Sequence, residues 1–143
     1  MNKLETLAAT RDQWQWLADN PDKDKADYFT KDNVAGYRPA FYCYCCQFVL
    51  KSIGHNKRGM NCSDRNSFGF DQAWLDTCPL KTLWPDGCES PSSVYIRWRS
   101  IWIIEDEDSP EERADKLKLK KIYAQQIADH CQKLIDEEGP QAP

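Results

Sequence analysis

Seven cysteines in a chain of 143 residues are the groups best suited to chemistry, and six of them fall between Cys43 and Cys88. The start, Met1-Asn2-Lys3-Leu4-Glu5-Thr6, lacks the apolar run of a secretory signal, so we expect a reducing, cytoplasmic setting in which disulfides rarely persist. Metal binding is then the leading chemistry. Zinc takes four soft ligands in a tetrahedron, and a C-x2-C spacing lets one tight turn supply two of them; Cys43-Tyr44-Cys45-Cys46 contains that spacing. Cys78 precedes a proline and Cys88 follows the turn Trp84-Pro85-Asp86-Gly87, so these two lie on a short excursion able to fold back on the first pair. Cys62, in a long loop, competes with either of them, and His55 is a further alternative. Cys45 sits between the first-pair ligands and is expected to point elsewhere, while Cys131 reads as a small hydrophobe on a helical stripe. A closed shell of four thiolates is structural, because catalytic zinc keeps one position open for water. Such a metal contributes to folding directly by tying together loops that lack regular structure.

The same residues argue against an enzyme. His55 and His130 are the two histidines, and neither has a nucleophile or second histidine at a useful spacing. His130 adjoins Cys131 on a helix, where neighbours face different directions. No phosphate-binding glycine loop or G-x-S-x-G elbow is present. A nucleic-acid module is the rival reading. Lys51, His55, Lys57, Arg58 and Arg65 cluster around the cysteine loop, and Arg97 and Arg99 flank Trp98, a combination of cations and stacking surface. Against it stands a net charge of -4.

The elements that must position the cysteines are mainly helical. Thr10 with Gln13 resembles a capping box ahead of Trp14, Leu17 and Ala18, which predicts a helix over about 11–19 that stops at Asn20-Pro21. Asp22 or Asp24 caps a short second helix through Tyr28 and Phe29, and 33–39 reads as loop. Residues 43–53 form a third helix ending at Gly54. A loop runs over 55–71, followed by one helical turn over 71–76. Val94, Tyr95, Trp98, Ile101 and Trp102 mark one face of a helix capped by Ser90 or Ser92. The clearest signal is the last: Ser109-Pro110-Glu111-Glu112 orders an N-cap, an N1 proline and two first-turn acids. Ala114, Leu117, Ala124, Ile127, Ala128, Cys131, Leu134 and Ile135 then line one face up to Gly139-Pro140.

These readings predict one small domain of four to five helices over 1–138 with a loop-rich, zinc-clamped centre, and 139–143 as a tail. No stretch approaches the roughly 18 apolar residues of a membrane span. Six tryptophans are a surplus for so short a chain, and any left exposed would suit a protein interface. The run Glu105-Asp106-Glu107-Asp108 with Glu111-Glu112, followed by Lys116, Lys118, Lys120 and Lys121, reads as a solvated face near a helix start.

In order, Trp14-x-Trp16-Leu17-Ala18-x-Asn20-Pro21, Cys43-x2-Cys46-Gln47-Phe48, Cys78-Pro79-Leu80, Trp84-x3-Cys88, Tyr95-x2-Trp98 and Ser109-Pro110-Glu111-Glu112-Arg113-Ala114 resemble a group of small uncharacterised bacteriophage proteins. The resemblance spans most of the chain and implies Cys43, Cys46, Cys78 and Cys88 as the zinc ligands. The chain departs from that pattern in the extra Cys45 and in the 55–71 insertion carrying Cys62. The resemblance names no activity. It implies a viral interaction protein that binds a host or phage protein, for instance to inhibit a bacterial defence system such as a CRISPR effector.

Overall fold

A computed structural model describes residues 1–31, 43–54 and 62–138; the readings made for 33–39, 55–61 and 139–143 lie outside those residues. The described residues form six α-helices and no strand, in keeping with the mainly helical expectation. The first, α1 (Lys3–Asp19), begins a full two turns earlier than the Thr10 cap predicts. Asn2 is the cap: its side chain accepts from the Glu5 N–H, and the Glu5 carboxylate accepts from the Asn2 N–H. Thr10 is instead a buried mid-helix residue whose hydroxyl donates back to the Thr6 carbonyl at 2.7 Å, which removes it from capping duty. The helix ends at Asn20, ahead of Pro21, as the sequence predicts.

The short α2 (Lys25–Thr30) is capped by Asp24, and α3 (Tyr44–Ile53) starts directly after Cys43 and stops at Gly54, whose φ is 87°. Asp71 caps α4 (Gln72–Thr77). α5 (Val94–Arg99) is capped by Ser93 rather than Ser90 or Ser92: the Ser93 hydroxyl accepts from the Ile96 N–H and donates to the Cys88 carbonyl. It also ends before Ile101 and Trp102, so the apolar stripe is cut short. The chain beyond it is drawn onto the start of α6 (Pro110–Glu138), where Lys116 donates to the Trp102 carbonyl at 2.7 Å and Asp108 accepts from the Ile104 N–H at 2.9 Å. Trp102 is left 75% exposed.

α1 and α6 pack antiparallel as the frame of the molecule. A ladder of polar contacts fixes their register at the edge of the apolar seam: Lys3 to Glu138, Arg11 to Gln132, a reciprocal Gln15–Gln125 pair, and Lys121 to the Ala18 carbonyl. Between them lie Leu7, Trp14, Leu17, Ala18, Ala124, Ile127, Ala128 and Cys131, all buried. Trp14 and Trp98 meet edge to face with centroids 4.9 Å apart, tying α5 to α1. Trp74, Leu75, Leu80 and Trp84 extend the core to the cysteine-bearing segments.

Candidate metal centre

Each cysteine reaches the centre of the molecule by a separate local device. Cys43 is the N-cap of α3, and its sulfur accepts from the Cys46 N–H at 3.4 Å. Cys45 and Cys46 then occupy the first turn of that helix, both buried. Cys78 is the C-cap of α4, its N–H turned back to the Trp74 and Leu75 carbonyls. Cys88 follows a tight turn closed by the Gly87 N–H to the Trp84 carbonyl at 2.9 Å, with Gly87 at φ 105°. Cys62 is brought to Cys88 by backbone pairing between the two loops: Arg65 N–H donates to the Asp86 carbonyl at 2.7 Å, and Glu89 N–H donates to the Ser63 carbonyl.

The result gathers six of the seven cysteines. Cys43 interacts with Cys45 and Cys46, Cys78 with Cys45 and Cys62, and Cys62 also with Cys46 and Cys88. All are free thiols. Their mutual contacts divide them electrically. Acceptance from Cys45, then Cys46, holds Cys43 well below the ordinary thiol range, and Cys45 followed by Cys62 does the same for Cys78. The donors Cys45 and Cys46 are pushed up, each chiefly by Cys43, and Cys62 is pushed up chiefly by Cys46. Cys131 stands apart on α6, fully buried, its thiol pushed up to about 12 by desolvation, as befits a small hydrophobe.

A cavity of about 360 Å³ opens beside the cluster, lined by Cys43, Cys46, Cys62 and Cys88 together with Trp84 and Lys25. Lys25 projects its ammonium over the Tyr95 ring at 4.6 Å. Burial works against its charge, but Tyr95, then Cys43 and Cys88, outweigh that and hold its pKa above the usual value. The indole N–H of Trp84 is buried without a hydrogen-bond partner among the described residues.

Of the four ligands expected from sequence, Cys43, Cys46 and Cys88 share the cavity wall, and Cys78 lies behind it against Cys45 and Cys62. Cys45, expected to point away, faces Cys43 and Cys78. His55 lies outside the described residues. The donor set suits zinc by type and number: soft, partly acidified thiols beside a cation that offsets the negative charge of a metal–thiolate complex. Among the described residues no group of three or more His, Cys, Asp or Glu side chains is already drawn into a metal-holding geometry. The thiols stand in pairwise contact.

His130 meets the Thr82 hydroxyl through Nε2 at 2.9 Å, remote from these thiols in chemistry. The basic groups proposed for nucleic acid are partly engaged: Arg65 bonds Gln72 and Arg99 pairs with Glu89, while 57 and 58 lie outside the described residues. No family model matches the chain, and neither does any curated protein or solved structure.

Proposed function

We propose that this chain is a phage-type zinc–thiolate protein that acts by binding a host or viral protein, with inhibition of a bacterial defence system such as CRISPR as one form of that action. The observation that carries the metal part is the convergence of Cys43, Cys46, Cys62, Cys78 and Cys88 from four separate segments on one locus. When bound, zinc supplies a structural cross-link. The chain's own contribution is to deliver thiolates from a helix N-cap, a helix C-cap and two paired loops, and to set Lys25 beside them.

The binding part is supported by exposed apolar side chains near the start of α6. Trp102 and Ile104 precede the helix and Leu119 and Ile122 lie on it, all more than 40% exposed. An exposed indole beside the acidic Glu105–Asp108 run suits a partner that is apolar at its contact and basic around it. No helix among the described residues is long and apolar enough to cross a membrane.

Two measurements test the proposal. Elemental analysis of the purified chain should find zinc, and an immobilised chain should retain a specific protein from phage-infected cells. Trp102→Ala should reduce that retention about tenfold without changing the fold. Retention that Trp102→Ala leaves unchanged refutes the interface. Retention of DNA or RNA with a steep salt dependence instead favours the nucleic-acid reading.

A further inference from the structure

Six converging thiols are two more than one tetrahedral ion can use. Their contacts have a definite pattern. Cys43–Cys45, Cys45–Cys78, Cys78–Cys62, Cys62–Cys46 and Cys46–Cys43 close a ring, with Cys88 attached at Cys62 and within electrostatic reach of Cys46. Setting Cys43 and Cys62 aside divides the remainder into two pairs, Cys45 with Cys78 and Cys46 with Cys88. Sharing Cys46 and Cys78 would divide the ring equally well. The cavity decides between them: its wall carries Cys43, Cys46, Cys62 and Cys88 but neither Cys45 nor Cys78. Only the first division makes that wall one complete set of four.

We infer that the six cysteines hold two zinc ions bridged by the sulfurs of Cys43 and Cys62, one ion at the cavity with Cys46 and Cys88, the other behind it with Cys45 and Cys78. Four terminal and two shared thiolates fill eight coordination positions, two complete tetrahedra. The thiols release their protons to solvent on binding, and six thiolates around two divalent cations leave a net charge of minus two. Lys25, on the same cavity wall, offsets part of it. The Cys46 N–H already aimed at the Cys43 sulfur is a donor of the kind that surrounds metal thiolates.

This inference rests on the zinc–thiolate reading, and metal stoichiometry separates the two. The full chain, reduced and stripped with chelator, is titrated with Zn²⁺ and, in parallel, with Cd²⁺. Binding should saturate at two equivalents, with thiolate-to-cadmium absorption rising to the same endpoint. One equivalent overturns the second ion and leaves the single-zinc reading standing; none overturns both, as does iron with acid-labile sulfide in the protein as isolated. Cys45→Ser should lower the capacity from two to one, and Cys131→Ser should leave it at two. A Cys45→Ser chain that still binds two ions refutes the assignment. Should that variant not fold, ¹¹³Cd resonances of the unmodified chain decide: two signals in the all-thiolate range are expected, and a single one refutes the pair.

Discussion

Replacing Gly87 by alanine tests how the cysteine loops are held together. Gly87 has φ 105°, and a Cβ placed on it would stand 2.2 Å from the Cys62 carbonyl oxygen and 2.7 Å from the Ser63 carbonyl carbon and oxygen. These are backbone atoms, so no side chain can swing aside. Relief requires the 62–65 segment to leave the 86–89 segment, breaking the Arg65–Asp86 and Glu89–Ser63 backbone hydrogen bonds that bring Cys62 to Cys88. A non-glycine residue in this region of φ costs about 1–3 kcal/mol, and overpacking adds about 1–3 more, so Gly87→Ala should destabilise by about 2–6 kcal/mol. Gly54→Ala is the matched control: its φ is 87°, but its Cβ would meet nothing within 4 Å, so only the conformational part, about 1–3 kcal/mol, applies. Urea unfolding of both variants measures the difference, and metal capacity measured alongside should fall in Gly87→Ala alone. Equal destabilisation of the two, within about 0.5 kcal/mol, with metal capacity unaffected, would refute the view that close backbone contact holds Cys62 to Cys88.

Leu17→Ala, at a fully buried position between α1 and α6, should cost about 2–5 kcal/mol in urea unfolding, whereas Ile122→Ala, 41% exposed, should stay within about 0.5. Ser109→Ala removes the oxygen that accepts from the Glu112 N–H at 3.1 Å and should cost about 0.5–2 kcal/mol, with faster amide exchange in the first turn of α6. The Lys116 ammonium, and after it the Ile104 N–H, hold the Asp108 carboxyl below the usual range. Its stabilising effect is therefore complete above about pH 4, the unfolded carboxylate value, and is lost as pH falls through the lower folded value. Asp108→Asn should flatten that acid limb, and an unchanged pH profile of the melting temperature would contradict the assignment.

Helix α6 was the most legible element in the sequence, because Ser109, Pro110 and the two glutamates act through bonds within one turn and the apolar face repeats over about six turns. The tight turn ahead of Cys88 and the stop at Gly54 were equally local, since a positive φ selects glycine whatever lies around it. Thr10 and the serines before α5 misled for a shared reason. In both places a competing short-range bond decides the cap: Asn2 pairs reciprocally with Glu5 while the Thr10 hydroxyl is taken by the Thr6 carbonyl, and Ser93 is held by the Cys88 carbonyl. Trp102 fitted the helical stripe by spacing, but its carbonyl accepts from Lys116, 14 residues on, and the nearby Ile104 N–H donates to Asp108, 4 residues on, and these bonds hold its segment outside the helix.

For the cysteines, the sequence by itself determined their type, their number and the C-x2-C spacing of Cys43 and Cys46, which depends on one turn of chain. It also determined that Cys131 belongs to the apolar face of the last helix. Which sulfurs meet was decided only by tertiary structure, because Cys62, Cys78 and Cys88 approach through backbone pairing between loops and through the seating of α3 and α4 on the core. No spacing encodes that approach, and it is what turned Cys45 inward and placed Cys62 between Cys46, Cys78 and Cys88.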